Sequence, residues 1–338
     1  MIVRRYIKNN DLYVFPFQIE EKNKIRTIVT YKKDTKGFRL RMFHNRLLWK
    51  LSKFKSSKYS YAYKKGLSTK DAFKPHMKSI LFIKLDIESF FENITKDRFL
   101  KFCNAETKKI GKRKLETCFY KNHVSLGYVT SPRLSDIYLY KFDLAVEKYL
   151  DNHKTLHYSR YSDDILISCE EDNYIELYSF FNFIKKTLKE YELSVNENKY
   201  KEFNLNKHTS VSFLGLNLKL KDGVYDITIS KRFVVKTLDL VDKLNRIKDQ
   251  KEEVRLELQK GLKELRFNLD NNIKDLSLDE YLKDKRVLYK KLDNKRHILK
   301  GVIKSRAAYI RFNSMTTYMK FLKKFRNKYG CEWKAYTL

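Results

Sequence analysis

The sequence has 338 residues and carries 73 Lys and Arg against 41 Asp and Glu, which gives a formal net charge of +32. Hydrophobic residues make up 42% of it and aromatic residues 14%, enough to bury a core, so a disordered basic tail is excluded. No run of about 18 apolar residues and no signal peptide occurs, so we expect a cytoplasmic protein with no membrane partner.

The predicted elements begin with a strand pair over residues 12–31, where short apolar runs alternate with polar residues. A basic amphipathic helix is predicted over residues 38–55. Residues 80–87 form an apolar run that is broken only by Lys84 and contains Asp86 near its end. This run predicts a buried strand.

Further along the chain, a helix is predicted from Ser131, which is expected to act as its N-cap. Residues 157–169 predict a hairpin with acidic residues at its turn, residues 177–188 an amphipathic helix, and residues 211–220 a strand. Beyond Ser230 the pattern is helical. The chain is therefore predicted to have an α+β fold, with helices on one face of an antiparallel sheet and a basic helical module after it.

The positive charge lies at the two ends of the chain. Residues 1–80 hold 21 Lys/Arg and 5 Asp/Glu, residues 81–230 hold 23 and 22, and residues 231–338 hold 29 and 14. The net charges of the three parts are therefore +16, +1 and +15. Tyr and Phe are interleaved with the cations, and aromatic faces can stack on bases while cations hold phosphates. The distribution predicts a protein that grips nucleic acid from two sides.

The four cysteines carry no evident chemistry. Cys103, Cys118, Cys169 and Cys331 lie far apart and lack the paired spacing of a zinc site or a disulfide framework. We expect structural thiols in a reducing compartment.

Three aspartates stand where burial makes a charge costly. Asp86 ends an apolar strand, and Asp163 and Asp164 lie at the turn between two apolar strands. Buried carboxylates need a partner or a metal. If the strands are neighbours, the carboxylates can hold Mg²⁺, and two such ions can activate a 3′-hydroxyl and stabilise leaving pyrophosphate. A solvated turn is the alternative for Asp163 and Asp164 taken alone.

The ordered motifs resemble those of reverse transcriptases, specifically the prokaryotic kind found in retrons, group II introns and antiphage systems. The resemblance covers about residues 20–220 and rests on the runs Leu85-Asp86-Ile87-Glu88-Ser89-Phe90-Phe91, Gly127 to Asp136, Tyr158 to Asp164, Asn196 to Lys199 and Phe213-Leu214-Gly215. It implies a right-hand polymerase. Its fingers would span residues 1–85 with part of 95–125, its palm 86–229 and its basic helical thumb 230–338.

The resemblance also implies roles for single residues. The metal ligands would be Asp86, Asp163, Asp164 and the Ile87 backbone carbonyl. The incoming nucleotide would be bound by Lys24, Arg26, Phe91, Gly127, Ser131 and Lys199, and primer and template by Phe213, Leu214 and Gly215. Phe91 would be the steric gate against a 2′-hydroxyl, and Lys199 would protonate pyrophosphate. The residue types alone leave alternatives: a core aromatic for Phe91, and ordinary solvated cations for Lys24, Arg26 and Lys199.

The implied cofactors are two Mg²⁺ ions, for which Mn²⁺ is a possible substitute. The implied substrates and partners are deoxynucleoside triphosphates, a DNA product and an RNA template, with a structured non-coding RNA as the expected template. A companion or effector protein and a homo-oligomer are further expectations for an enzyme of bacterial antiphage defence.

Departures from the family pattern decide the subfamily that we expect. Leu126 stands where many relatives have Gln, and Asp136 stands where Asn is common. Only parts of the two retron signatures occur, in residues 71–76 and 213–215. The chain therefore looks most like the defence-associated enzymes of the unknown-group or abortive-infection kind. The alternatives are a retron or intron-derived polymerase, a template-independent or protein-primed polymerase, and an RNA-binding scaffold without activity.

Overall fold

The computed structural model describes residues 10–21, 24–208, 210–221, 223–271, 276–313, 315–331 and 333. The chain divides into two compact units, Met1–Leu214 with Leu218–Asp226 and Gly215–Asn217 with Ile227–Leu338. The strands are β1 (Val14–Glu21), β2 (Lys24–Tyr31), β3 (Leu81–Asp86), β4 (Phe119–Tyr120), β5 (His123–Val124), β6 (Leu156–Tyr161), β7 (Asp164–Cys169), β8 (Lys201–Asn204), β9 (Val211–Phe213), β10 (Leu216–Lys221) and β11 (Val224–Ile229). The α-helices are α1 (Thr35–Leu51), α2 (Thr69–Phe73), α3 (Phe90–Asn93), α4 (Lys96–Phe102), α5 (Asn104–Ile110), α6 (Lys112–Glu116), α7 (Ser131–Tyr138), α8 (Tyr140–Asp151), α9 (Tyr174–Glu190), α10 (Lys231–Asp270), α11 (Leu276–Asn313) and α12 (Met315–Tyr329). Short 3-10 turns span Asn10–Leu12, Lys74–His76 and Glu197–Lys199.

The first unit is built on an antiparallel sheet with the strand order β6-β7-β3-β8. Side chains alternate between the two faces of a strand. Leu81, Ile83 and Leu85 of β3 accordingly join one buried cluster with the apolar faces of α7, α8 and α9. This arrangement confirms the predicted α+β fold with helices on one face of an antiparallel sheet.

The predicted strand pair, the two buried central strands and the helical C-terminal region are confirmed, but several boundaries differ. The helix expected over residues 38–55 is α1, which begins earlier because Asp34 caps it by accepting a hydrogen bond from the Gly37 amide at 2.7 Å. β8 was not predicted, because its sequence mixes charges with one aromatic residue and lacks a continuous apolar run.

Two expectations were wrong. Ser131 is not an N-cap: Thr130 precedes the helix, and the Ser131 hydroxyl donates instead to the Ser125 carbonyl at 2.6 Å. The expected single strand over residues 211–220 is a hairpin of β9 and β10. Leu214 and Gly215 have φ values of 52° and 82°, which an extended strand cannot accommodate, and they turn the chain.

The second unit is helical in its described residues after Lys231. α10 and α11 are two long helices joined in sequence, with α12 after them, and Val241, Leu244, Ile310 and Phe321 are buried. None of the described helices combines the length and the apolar composition that crossing a membrane requires.

Candidate active site

The three aspartates meet at one end of the central strands. β3 and β7 are antiparallel neighbours, and their register places Asp86 directly opposite Asp164. Asp163 lies beside this pair in the two-residue turn between β6 and β7, and its carbonyl accepts a hydrogen bond from the Ile87 amide at 2.9 Å. Ser162, the other turn residue, has a φ of 63°, and tight two-residue hairpins favour such positive values. The register therefore joins two motifs that are remote in sequence.

The environment of this cluster opposes negative charge. Asp86 is only 4% exposed. Burial raises the pKa of the Asp164 carboxyl to about 6, Lys84 opposes this rise, and the neighbouring Asp163 and Asp86 add to it. Burial, together with the charge of Asp86, also raises the pKa of Asp163. Three carboxylates in this position are stable together only with positive charge close by.

Two lysines supply part of that charge. The Lys199 ammonium donates to Asp86 Oδ2 at 2.5 Å, from the 3-10 turn Glu197–Lys199. Asn196 holds the same residue from the backbone, because its amide donates to the Asp86 carbonyl at 2.8 Å. Lys84 lies on β3, and its ammonium is 3.6 Å from Asp164 Oδ1. Lys199 is therefore ion-paired with the cluster, although its side chain is 44% exposed.

The carboxylate oxygens of Asp86, Asp163 and Asp164 are suitable ligands for a hard divalent cation, although they are not arranged as a complete coordination shell. Within the described part of the chain, no group of three or more His, Cys, Asp or Glu side chains is placed to hold a metal ion as it stands. Lys199 occupies the position of a cation against Asp86. A metal would replace this ion pair and would find carboxylate oxygens, the ligands that Mg²⁺ prefers.

Phe91 and its neighbour Phe90 have different surroundings. Phe90 is buried in the core, whereas Phe91 is partly exposed and meets the Phe90 ring edge-on at a centroid distance of 5.4 Å. Phe91 lines a cavity of about 620 Å³ together with Leu126, Gln18 and other residues. Phe91 thus packs against the core cluster on one side and also lines the cavity.

Gly127 stands where the chain crosses β2. Its φ is 104°, and a Cβ atom there would lie 2.4 Å from the Val29 carbonyl oxygen. The Val29 amide donates to the Leu126 carbonyl at 2.8 Å, so the two backbones are in direct contact. Only glycine fits both the conformation and the space. Gly127 therefore fixes the position of its neighbour Leu126 on the cavity wall.

The remaining predicted nucleotide-binding residues are placed as follows. Ser131 is buried and holds the Ser125 carbonyl, as described above. Arg26 lies on β2, opposite Ile19 of β1, and is exposed. Lys24 begins β2, and its side chain lies outside the described residues.

The turn Phe213-Leu214-Gly215 connects β9 and β10. Phe213 is buried and meets the ring of Phe73 edge-on at 5.7 Å. The Lys84 ammonium lies 5.6 Å from the centre of the Phe213 ring, so Lys84 faces both this aromatic residue and Asp164. In the sequence, Lys84 stands out only as the break in the apolar run of residues 80–87.

The sequence of the chain matches a known family. The model of the family described as "Reverse transcriptase (RNA-dependent DNA polymerase)" matches residues 8–218. The retron Ec86 reverse transcriptase of Escherichia coli is 27% identical over 122 residues, 36% of this chain and 38% of that protein. The retron Ec83 reverse transcriptase of Escherichia coli is 30% identical over 179 residues, 48% of this chain and 56% of that protein. The matches thus span 38% and 56% of these curated relatives.

Solved structures also resemble the chain. Apo telomerase from Candida tropicalis has a TM-score of 0.48 and 14% identity, with 65% of this chain and 48% of that chain covered. Telomerase from Candida albicans with a fragment of telomeric RNA has a TM-score of 0.46 and 13% identity, with 92% and 65% covered.

Proposed function

The chain belongs to the reverse transcriptase family, and from this premise we propose that it is an RNA-directed DNA polymerase that adds deoxynucleotides by a two-metal-ion mechanism. The observation that carries the proposal is the register of β3 and β7, which pairs Asp86 with Asp164 beside Asp163. An RNA-binding scaffold has no need of three carboxylates gathered at this place, so their juxtaposition favours catalysis.

The metal ligands in this proposal are Asp86, Asp163, Asp164 and the backbone carbonyl of Ile87. The family uses divalent metal ions, and the oxygen donors here suit Mg²⁺, with Mn²⁺ as a substitute. When bound, such ions lower the pKa of the primer hydroxyl and stabilise charge on the departing pyrophosphate. The raised pKa of Asp164 supports the assignment, because a divalent cation favours the ionised carboxylate that burial disfavours.

The chain's own residues position the substrates. Phe91 and Leu126 form part of one cavity wall, which suits an incoming nucleotide, and Phe91 excludes a 2′-hydroxyl there. Lys199 lies against Asp86 and can give a proton to pyrophosphate once it leaves that ion pair. Arg26 and Lys24 of the β1–β2 hairpin would bind the triphosphate in this proposal.

Other parts of the chain would bind the primer and the template. The turn at residues 213–215 would support the primer end. Residues 1–85 with part of 95–125 act as fingers, residues 86–229 as palm and residues 230–338 as thumb, and the basic ends hold the RNA template and the DNA product. We place the enzyme in the bacterial cytoplasm, in antiphage defence, with a structured non-coding RNA as template. The proposal also includes an effector protein as a partner and assembly of the enzyme into a homo-oligomer.

A retron-type polymerase is the second candidate. It is favoured by the 30% identity to the retron Ec83 reverse transcriptase over 179 residues. Sequencing the RNA and DNA that co-purify with the protein distinguishes the candidates: a branched RNA–DNA product would favour the retron type, and a DNA joined to protein would favour protein priming.

Primer extension on an RNA template tests the proposed activity. The wild type should incorporate labelled deoxynucleotides only with Mg²⁺ or Mn²⁺. The double variant Asp163→Ala, Asp164→Ala should bind the RNA normally and incorporate nothing. Extension by the double variant at the wild-type rate would contradict the mechanism. RNA binding by the wild type without any incorporation would favour the scaffold.

A further inference from the structure

Arg160 is a buried cation directly beside the turn that carries Asp163. It lies on β6, two residues before Ser162, and is 1% exposed. Its Nη1 donates to the Ser162 carbonyl at 3.3 Å. Its Nε and Nη2 donate to the two carboxylate oxygens of Asp143 at 3.0 and 2.6 Å, and Nη2 also donates to Asp136 at 3.1 Å.

We infer that Arg160 is a positioning residue for the catalytic turn: its guanidinium ties the Ser162 carbonyl to the carboxylates of Asp143 and Asp136 and thereby fixes Asp163 and Asp164. The inference rests on the polymerase function proposed above. It assigns a shared task to three buried charged residues that do not themselves touch substrate.

The contacts of the turn support this assignment. The Ile87 amide, directly after strand β3, donates to the Asp163 carbonyl, and Arg160 donates to the preceding carbonyl, of Ser162. Two successive carbonyls of the turn are therefore held from different elements. The backbone of Arg160 is held as well, because its amide donates to the Tyr59 carbonyl and its carbonyl accepts from the Tyr61 amide, both at 2.8 Å.

The carboxylate partners are anchored on helices that pack against the sheet. Asp136 lies on α7 and Asp143 on α8, and Asp143 also accepts a hydrogen bond from the Tyr158 hydroxyl at 2.9 Å. Ser56 and Ser60 each donate to Asp136 at 2.6 Å. Through these contacts the turn is connected to two helices and to the segment that follows α1.

A second arginine extends the network and balances its charge. Arg133 Nη1 donates to Asp136 at 2.5 Å, and its Nε donates to the Leu51 carbonyl at the end of α1 at 3.1 Å. Burial alone would raise the pKa of Asp136, but Arg160 and the Ser56 hydroxyl hold that pKa below its usual value. Two arginines thus face two carboxylates in this network.

Geometry explains why this place holds an arginine. A guanidinium is planar and offers five N–H groups in fixed directions, so it can bind a carboxylate through two bonds and still reach a carbonyl. A lysine ammonium is a single point charge on a flexible stem. Buried ion pairs cost desolvation energy that apolar residues of the same size would avoid, so a role in geometry accounts for the network better than stability does.

The deciding variants are Arg160→Lys and Asp143→Asn, with Lys101→Gln as the control. Lys101 forms an exposed ion pair with Glu192 and has no contact with the network. Asp136→Asn is the milder comparison, because its one amide oxygen can take the place of Oδ1 and still accept from Ser60 and Arg160, although the bonds from Ser56 and Arg133 to Oδ2 are lost. Arg160→Met would leave the buried carboxylate of Asp143 without its arginine partner and is expected not to fold, so it is not used.

The measurements are kcat and KM for a deoxynucleotide, the dissociation constant for Mn²⁺ followed by calorimetry, RNA affinity, and melting temperature. Arg160→Lys and Asp143→Asn should lower kcat by about 10- to 100-fold, with KM and RNA affinity within about threefold of the wild type, because a small displacement of catalytic groups has this effect. Both should bind Mn²⁺ more weakly, Asp136→Asn should lie between them and the wild type, and the control should match the wild type.

Two outcomes have different meanings. A lower melting temperature of Arg160→Lys with unchanged kcat and unchanged Mn²⁺ affinity would overturn the positioning role and leave a structural one. A wild type that binds Mn²⁺ but incorporates no nucleotide would overturn the polymerase function, whereas weaker Mn²⁺ binding by Arg160→Lys in that case would still support positioning of the aspartates.

Discussion

The ammonium of Lys199 lies 2.5 Å from the carboxylate of Asp86, although 113 residues separate the two in sequence. The contact exists because the chain returns after β7 and α9 to place the Asn196–Lys199 segment beside the end of β3. A lysine from one motif thus neutralises the first aspartate of another.

Replacing Lys199 by Met should separate two effects of this ion pair. In the proposed metal site Lys199 competes with the cation for Asp86. The variant should therefore reach half-maximal activity at up to about fivefold lower Mg²⁺, since the lysine is 44% exposed and such pairs contribute at most about 1 kcal/mol. Its maximal rate should fall by about 100-fold if Lys199 donates the proton to pyrophosphate.

Steady-state primer extension across a Mg²⁺ series measures both quantities. Lys185→Gln is the matched control, because Lys185 pairs with Glu197 of the same 3-10 turn and does not contact Asp86. An unchanged rate and an unchanged Mg²⁺ requirement would argue against both roles of Lys199.

Replacing Phe91 by Ala should relax the choice of sugar. The side chain lines the cavity proposed for the nucleotide, so its loss should leave room for a 2′-hydroxyl and lower the preference for deoxynucleotides by about 10- to 200-fold. The ratio of kcat/KM for the two sugars is the measurement. Phe90→Leu is the control, because Phe90 faces the core, and it should lower stability without changing this ratio.

Gly127→Ala should destabilise the fold more than Gly66→Ala does. Both glycines have positive φ, 104° and 84°, so both substitutions strain the backbone. Only at Gly127 does the new Cβ also meet a backbone oxygen, of Val29, whereas nothing lies within 4 Å at Gly66. We expect a further loss of about 1–3 kcal/mol at Gly127 in chemical denaturation. Equal losses would show that the crossing with β2 relaxes.

Acid should destabilise the first unit through two buried histidines. Burial lowers the pKa of His44 from 6.5 to about 4 and that of His76 from 6.5 to about 3. The unfolded chain therefore binds protons more readily than the native protein. The contribution of the two histidines to the free energy of unfolding is fully present above pH 6.5 and is lost as pH falls towards 4 and 3. Through each histidine, the free energy of unfolding should fall by up to about 2 kcal/mol between pH 7 and pH 5.

Denaturation curves at a series of pH values test this contribution. His76 lies between Ser168 at 2.7 Å and Ser159 at 2.9 Å, so His76→Gln should keep some polar contact while flattening the acid limb. His297→Gln, on an exposed part of α11, is the control and should leave that limb unchanged. An unchanged acid limb in both His76→Gln and His44→Gln would contradict the assignment.

Charge reversal on α12 should weaken binding of the RNA template. Lys320, Lys323 and Lys324 are exposed there, and replacing all three by Glu should reduce the slope of log affinity against log salt by about 0.9 for each phosphate that the variant no longer neutralises. The rate on saturating template should be nearly unchanged. Residues 251–295 hold 12 Lys/Arg and 10 Asp/Glu, so reversing Lys260 and Lys263 there is the control and should change the slope less. A slower rate at unchanged affinity would contradict a binding role.

The sequence by itself determined the central strands and the identity of the carboxylates. Period-two and continuous apolar patterns identify buried strands, and an aspartate at the end of such a strand is conspicuous because burial makes its charge costly. Local sequence pattern did not predict the ends of α1, the break in residues 211–220 or the role of Ser131. Each depends on a turn conformation or on a hydrogen bond that local pattern does not reveal.

Tertiary structure alone decided which charges meet. Lys84, Lys199 and Arg160 are three of the 73 Lys and Arg residues, and their local sequence does not show which aspartate each of them pairs with. The strand register pairs Asp86 with Asp164, and helix packing brings Asp136 and Asp143 to Arg160. Local sequence specifies where a buried charge must stand. Only the folded chain supplies the opposite charge, because the partners come from elements that are 17 to 113 residues away.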